Sequence, residues 1–264
     1  MLMRIDADSL LAGDGLRVVF QPIFDVTGDS QSTWGLEALT RGPADTNFAS
    51  AAVLFDYVRL KHEEARIDRR CLSAALSEAR RFPDDVVISL NVHAATLERD
   101  REVTSWLAGE VSRHRIPMSR LMFELVEQSQ YWNAPAVRGA IADLRHAGAR
   151  IALDDVGCGR CNYQMIVDLQ PDVLKLDRYL VHGCARDRHR AAVLRSIQQL
   201  ASDVGASVVA EGVETDEDLQ AIRDLGLRLV QGFALARPAP AQAFIDSSMP
   251  SAWMSTAEGA THVS

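Results

Sequence analysis

Glu37, Asn91, Glu124, Asp154, Asp155, Lys175, Asp177, Glu211 and Gln231 share one context. Each ends, or closely follows, a short apolar run of the kind that forms a buried strand. Ile151-Ala152-Leu153-Asp154-Asp155-Val156-Gly157-Cys158-Gly159 shows the pattern most fully. Adjacent residues on a strand point to opposite faces, so paired acids normally diverge. Where the chain turns at a strand's end, both can converge on one cation. Taken alone, the stretch reads equally well as a surface turn, because Asp and Gly are common turn residues. Its recurrence along the chain favours a shared site. Five carboxylates (Glu37, Glu124, Asp154, Asp155, Glu211) and the Asn91 amide facing one mouth cannot all stay ionised without compensation. Oxygen donors of this kind suit hard cations such as Mg²⁺ and Mn²⁺. The set is larger than one octahedral ion takes from protein. Two ions about 3.5–4 Å apart would use it, and such pairs stabilise the attacking and leaving oxygens of phosphoryl transfer. Lys175, among the acids, would orient or deprotonate the attacking water, or stabilise charge on a phosphate.

These residues need a scaffold that brings strand ends together. Strands are expected at Leu16–Phe24, Trp34–Thr40, Val86–Asn91, Leu121–Glu127, Ile151–Asp155, Val173–Asp177, Ser207–Glu211 and Leu229–Phe233. Between them, helical patterns cover 50–81 (two helices broken near Lys61-His62), 103–114, 134–147, 188–204 and 216–225, with Thr215 as an N-cap. Residues 240–247 read as a short helix. Alternating strands and helices predict a parallel sheet covered by helices, and eight units suggest a closed (βα)8 TIM-type barrel, an α/β fold. The exception is the start, where Thr27-Gly28-Asp29-Ser30 is a turn joining the first two strands as a hairpin. That makes one strand antiparallel. The expected organisation is an N-terminal lead-in at 1–15, a barrel at 16–247 and a flexible tail at 248–264.

The 264 residues are enough for such a barrel. Hydrophobic residues make up 47% and charged residues 24%, as in ordinary globular proteins. The net charge, 28 − 36 = −8, argues against binding DNA, RNA or an anionic membrane. No apolar run approaches the roughly 20 residues of a membrane span, and Met1-Leu2-Met3-Arg4-Ile5-Asp6 lacks a signal peptide's apolar core. Four cysteines do not suggest a disulfide framework at this size. The expected location is the cytoplasm. The length leaves no room for an attached sensor or cyclase domain, so regulation is expected from partners, oligomerisation or the loop after Asp155.

Leu36-Glu37-Ala38-Leu39-Thr40-Arg41 resembles the signature of the EAL-domain family, the cyclic-di-GMP phosphodiesterases. The resemblance continues in order through Asn91, Phe123-Glu124-Leu125-Val126-Glu127, Asp154-Asp155-Val156-Gly157, Lys175-Leu176-Asp177, Ala210-Glu211-Gly212-Val213-Glu214-Thr215 and Gln231-Gly232-Phe233. It covers roughly residues 16 to 238, and seven motifs in the right order make it specific. It implies a (βα)8 barrel with one antiparallel strand, and two Mg²⁺ or Mn²⁺ ions that serve hydrolysis of one phosphodiester of cyclic-di-GMP to a linear dinucleotide. Carried over, the metal ligands are Glu37, Asn91, Glu124, Asp154, Asp155 and Glu211. Lys175, Glu37 and Gln231 form the catalytic set, with Lys175 assisting the attacking water. Gln21, Leu39, Arg41, Asp177 and Gln231 contact the substrate, Arg41 through phosphate, where a fork of donors matches paired oxygens. Glu214 steadies the loop after Asp154-Asp155, and the resemblance implies a homodimer formed near that loop.

The sequence departs from the family in that loop, which usually reads Phe-Gly-Thr-Gly-Tyr-Ser-Ser and here is Val156-Gly157-Cys158-Gly159-Arg160-Cys161-Asn162. The glycines stay, but the hydroxyls that would partner Glu214 are gone. A catalytically weak or inactive cyclic-di-GMP receptor or interaction module is therefore the alternative to an active phosphodiesterase. Cys158 and Cys161 form a C-x-x-C pair. They read either as small replacements for the hydroxyls or as a redox-responsive pair, with Arg160 lowering a thiol pKa. His93 is a second departure, where the family often has Ser; it reads as a helix-start residue.

Overall fold

The computed structural model describes residues 15–28, 31–126, 134–158 and 163–245. Its strands are β1 (Arg17–Asp25), β2 (Ser32–Arg41), β3 (Val87–His93), β4 (Leu121–Val126), β5 (Arg150–Val156), β6 (Val173–Leu176), β7 (Ser207–Ala210) and β8 (Leu229–Val230). They close into one barrel in sequence order. β1 pairs antiparallel with β2 and with β8, and every other neighbouring pair is parallel. The expected barrel, hairpin and single antiparallel strand are all present. Of the expected lead-in, 1–14 lie outside the described residues, as do Glu127, Cys161 and the tail. No described helix is long and apolar enough to cross a membrane.

The helices are α1 (Ala51–Lys61), α2 (Glu64–Ala79), α3 (Ala94–Arg99), α4 (Val103–His114), α5 (Pro135–His146), α6 (Tyr163–Leu169), α7 (Arg178–Val181), α8 (Arg188–Val204), α9 (Asp216–Asp224) and α10 (Gln242–Ile245). The break between α1 and α2 falls at His62, left-handed at φ 56°, as the sequence suggested. Thr215 caps α9 by accepting from the Asp218 amide. The outward residues of the strands, among them Leu36, Ile88, Phe123, Leu153, Leu176 and Val208, are buried against these helices in the main core.

The barrel interior has a simpler rule. Ile23, Val87, Met122, Ala152, Val173, Val209 and Leu229 pack together with Trp34 as an apolar plug. Side chains alternate along a strand, so the next inward position lies two residues closer to the barrel mouth. From those seven residues, that step reaches Gln21, Ser89, Glu124, Asp154, Lys175, Glu211 and Gln231. β2 adds Glu37, which pairs across the hairpin with Gln21 and in parallel with Ser89. The polar ring is thus the apolar plug displaced by one pleat, at the strand ends where barrels of this class carry their sites.

Candidate active site

Lys175 occupies the centre of the ring. Its Nζ lies 2.6 Å from Glu124 Oε2, 2.6 Å from Glu211 Oε1, 3.4 Å from Glu37 Oε2 and 3.7 Å from Asp154 Oδ1. Burial alone would push this amine down. The four carboxylates outweigh burial and hold the pKa well above the ordinary lysine value. The carboxylates thus favour the ammonium form of Lys175, which suits it to orient a water or to stabilise charge on a phosphate.

One cation cannot compensate the acids around it. Burial raises Glu124 well above the carboxylate range, and Glu37 adds to the rise. Burial raises Asp154 against the pull of Lys175. Burial likewise raises Glu211, against Lys175, to about 8. Only Glu37 goes the other way: burial is outweighed by Lys175, Gln231 and Asn91, and its pKa is lowered. Gln231 Nε2 donates to Glu37 Oε2 at 2.7 Å and to Gln21 Oε1 at 3.2 Å, and Asn91 Nδ2 donates to Glu37 Oε1 at 3.2 Å. Gln21 Nε2 in turn holds the Ala236 carbonyl at 3.1 Å. The Ser89 hydroxyl, which the sequence reading passed over, donates to Glu124. Its signal was the same inward alternation that marked Asn91.

The donor set fits a pair of divalent cations. Glu37, Glu124, Asp154, Asp155 and Glu211 carry five negative charges when ionised and Lys175 one positive, giving −5 + 1 = −4. Two divalent ions supply +4. Asp154 Oδ1 is buried without a hydrogen-bond partner, which leaves a lone pair for a cation.

Asp155 follows Asp154 near the end of β5. Its backbone is left-handed, φ 54°, a conformation open chiefly to Gly, Asn and Asp. Its carboxylate, Cys158 Sγ and an Asp177 oxygen lie within 4.8 Å of one another. Asp177 also caps α7, accepting from the Tyr179 amide at 2.8 Å. Glu214, expected to steady the loop after Asp155, pairs with Arg178 at 2.9 Å. The Cys158 thiol donates to the Asp155 carbonyl.

A cavity of about 470 Å³ opens beside the ring. It runs from Glu37, Asn91 and Asp154 past Leu39 and Arg41 to Phe55 on α1. A second, of about 480 Å³, lies on the other side, lined by Gln21, Leu39, Glu211, Glu214 and Gln231. Leu39 lines both, so the expected substrate residues Gln21, Leu39, Arg41 and Gln231 all face the mouth. The imidazole of His93, 6% exposed, is fixed by Asp68 in the wall of the first cavity. It both ends β3 and caps α3.

Barrel and ring define the class: an eight-stranded α/β barrel whose strand C-termini carry a carboxylate ring around one lysine. Within that class, the chain belongs to the EAL domain family, whose model it matches over residues 6–238. Its relatives include the cyclic di-GMP phosphodiesterase RocR of Pseudomonas aeruginosa, 31% identical over 159 residues, which are 60% of this chain and 40% of RocR. Among solved structures, BlrP1 of Klebsiella pneumoniae, crystallised with calcium and cyclic-di-GMP, aligns with a TM-score of 0.77 at 26% identity, covering 90% of this chain and 59% of BlrP1. PaMucR phosphodiesterase of Pseudomonas aeruginosa, in complex with c-di-GMP, aligns with a TM-score of 0.79 at 26% identity, covering 90% of this chain and 98% of that structure. The chain spans between about a fifth and two fifths of the length of these curated relatives.

Proposed function

We propose that the chain hydrolyses one phosphodiester bond of cyclic-di-GMP, giving the linear dinucleotide, with two Mg²⁺ or Mn²⁺ ions held by Glu37, Asn91, Glu124, Asp154, Asp155 and Glu211. The observation that carries this reading is the charge deficit at the mouth: ionised Glu37, Glu124, Asp154 and Glu211 with Lys175 come to −4 + 1 = −3, and the adjoining Asp155 brings the sum to −4. Bound there, the ions would lower the pKa of an attacking water and neutralise charge on the phosphoryl oxygens. The protein's own residues do the rest. Lys175, an ammonium among the acids, keeps the ring from repelling an anionic phosphodiester and orients the water by donating to it. Gln231 fixes Glu37 from one side and Asn91 from the other, so the ligand oxygens are aimed before substrate arrives. Arg41, in the cavity wall, presents paired donors to a phosphate. Water adds to phosphorus, the bond to one ribose oxygen breaks, and that oxygen leaves with a proton.

A second reading, a receptor that binds the dinucleotide without turnover, is favoured by one observation. The Asp155 carboxylate gathers with Cys158 and Asp177, and its loop has lost the family's hydroxyls. The same reading of the family includes a homodimer. It is supported by Tyr163 and Val167 of α6, which are 72% and 70% exposed just beyond that loop, and is tested by light scattering.

Chromatographic turnover of cyclic-di-GMP with Mg²⁺, Mn²⁺ or EDTA separates the two. The expected result is linear dinucleotide with either ion and none with EDTA or in Glu37→Ala, which retains its fold. Tight binding without product in every condition would establish the receptor instead.

A further inference from the structure

His93 holds the one buried nitrogen in the wall of the first cavity that no protein atom satisfies. β3 presents Ser89, Asn91 and His93 on one face at successive pleats. Ser89 bonds Glu124 within the ring, and Asn91 bonds Glu37. His93 comes next, about 7 Å farther out than Asn91 at two strand residues. The side chain is held rigidly. Its Nδ1 lies 2.9 Å from Asp68 Oδ1, and Asp68 Oδ2 accepts from the His93 amide at 2.9 Å and the Thr96 hydroxyl at 2.6 Å. Both partners are buried, at 8% and 3% side-chain exposure. Asp68 thus fixes the ring's plane and occupies Nδ1. Nε2, on the far side of the ring, is buried and finds no protein partner. A polar atom held this firmly and left without a protein partner calls for an explanation, and a ligand in the adjoining cavity supplies one.

The neighbouring wall names the chemistry of that ligand. Phe55 lies 5.6 Å from the imidazole, ring to ring, at 51°. Leu39, Ala51 and Ala52 line the same cavity, and Arg41 stands between it and the ring. Beside the polar side chains Thr40, Arg41, Asp56, Arg59 and Asn91, this aromatic and apolar part of the wall suits a flat heteroaromatic, gripped by its faces and read at its edge by the fixed His93 nitrogen. A phosphodiester lying on the carboxylate ring would direct its nucleoside into this space.

We propose that His93 is a specificity-determining residue, whose Nε2 hydrogen-bonds the polar edge of a guanine base of the bound dinucleotide. This rests on the reading of the ligand given above. Guanine offers a carbonyl and an N–H where adenine offers an amine and a bare nitrogen, so one fixed polar atom at that edge separates the two bases. The interaction acts on binding rather than on the reacting bond.

The test compares affinities for cyclic-di-GMP and cyclic-di-AMP, measured calorimetrically with Ca²⁺ present, in the wild type and in His93→Ser. The serine hydroxyl replaces the donor that Asp68 loses, and the ratio of two affinities within one preparation does not depend on the fraction folded. His93→Ser is expected to weaken cyclic-di-GMP binding about tenfold and to lower the ratio by a similar factor. In turnover the loss is expected in KM more than in kcat. An unchanged ratio, or equal weakening toward both ligands, would show that His93 only shapes the wall. So would a wild type that does not discriminate. A wild type that binds neither ligand would overturn the functional reading itself, and this inference with it.

Discussion

Lys175 is a counter-ion that the chain supplies to itself. It cannot compensate four carboxylates: Glu37 is lowered with the help of Gln231 and Asn91, while Glu124, Asp154 and Glu211 stay raised and look to protons or added cations. This has a measurable sign. Burial pushes Glu211 up to about 8, from the 4.5 of a free glutamate. A raised carboxylate stabilises the fold fully below the unfolded value, and that contribution is lost as pH rises through the folded one. In EDTA, the melting temperature is expected to fall between about pH 5 and pH 8. Mg²⁺ or Mn²⁺ replaces the departing protons, so the stabilisation by added ion grows across the same window. At a hundred times Kd it reaches about 2.7 kcal/mol. Differential scanning fluorimetry with and without ion, at several pH values, checks this. An ion effect that is flat with pH would mean that the ring is not where the ions bind.

Elements aim these residues, and β8 shows how tightly. The run Leu229–Phe233 reads as one strand in the sequence, but the strand ends at Val230. The chain leaves the sheet because the Val213 amide donates to the Gln231 carbonyl at 3.1 Å and Gly232 slides against the backbone of Val213. A Cβ on Gly232 would stand 2.0 Å from the Val213 carbonyl oxygen, and backbone cannot give way as a side chain does. Gly232→Ala is expected to cost about 3 kcal/mol and to weaken ion binding by moving Gln231 off Glu37. Thermal melts and a Mn²⁺ titration read the two effects separately. Much of the site was legible because it obeys strand alternation: an apolar residue, then a polar one a pleat nearer the mouth. Three things were not. Helices α3, α6 and α7 have six, seven and four residues, too few for a helical period to show. The Asp68–His93 pair joins a helix and a strand 25 residues apart, which no local pattern records. The position of Asp155 depends on a left-handed turn that its residue type permits and does not announce.

At the scale of the whole molecule, the short β8 makes the barrel's two sparsest junctions, with β7 and with β1, and the seam with β1 closes the barrel. Only Phe24 with Val230 and Asp25 with Leu229 are in register. The seam is extended by Phe20, which exchanges backbone hydrogen bonds of 2.7 and 2.9 Å with Ala239, and by Gln21 on the Ala236 carbonyl. Beyond it, Ala241 and Phe244 are buried. A chain ended after Ala234 would lose all of these. Its melting temperature is expected to drop by roughly 20 °C, from about one kcal/mol for each hydrogen bond and several for the buried phenylalanine, at about 2–4 °C per kcal/mol for a domain of this size. A melt unchanged from that of the full chain would show that β1 and β8 close the barrel unaided.

The seam also sets a waiting time. Val230 follows Phe24 by 206 residues (230 − 24), and at 5–20 residues per second a ribosome needs roughly 10–40 s to deliver it. Until then, the first hairpin is a sheet with an open side, the kind of edge on which another nascent copy can build. Phe20 turns its N–H and carbonyl to that side. By alternation so does Pro22, which has no N–H to offer. A proline that costs the finished barrel little at a sparse junction thus interrupts the row of donors while the protein is still being made.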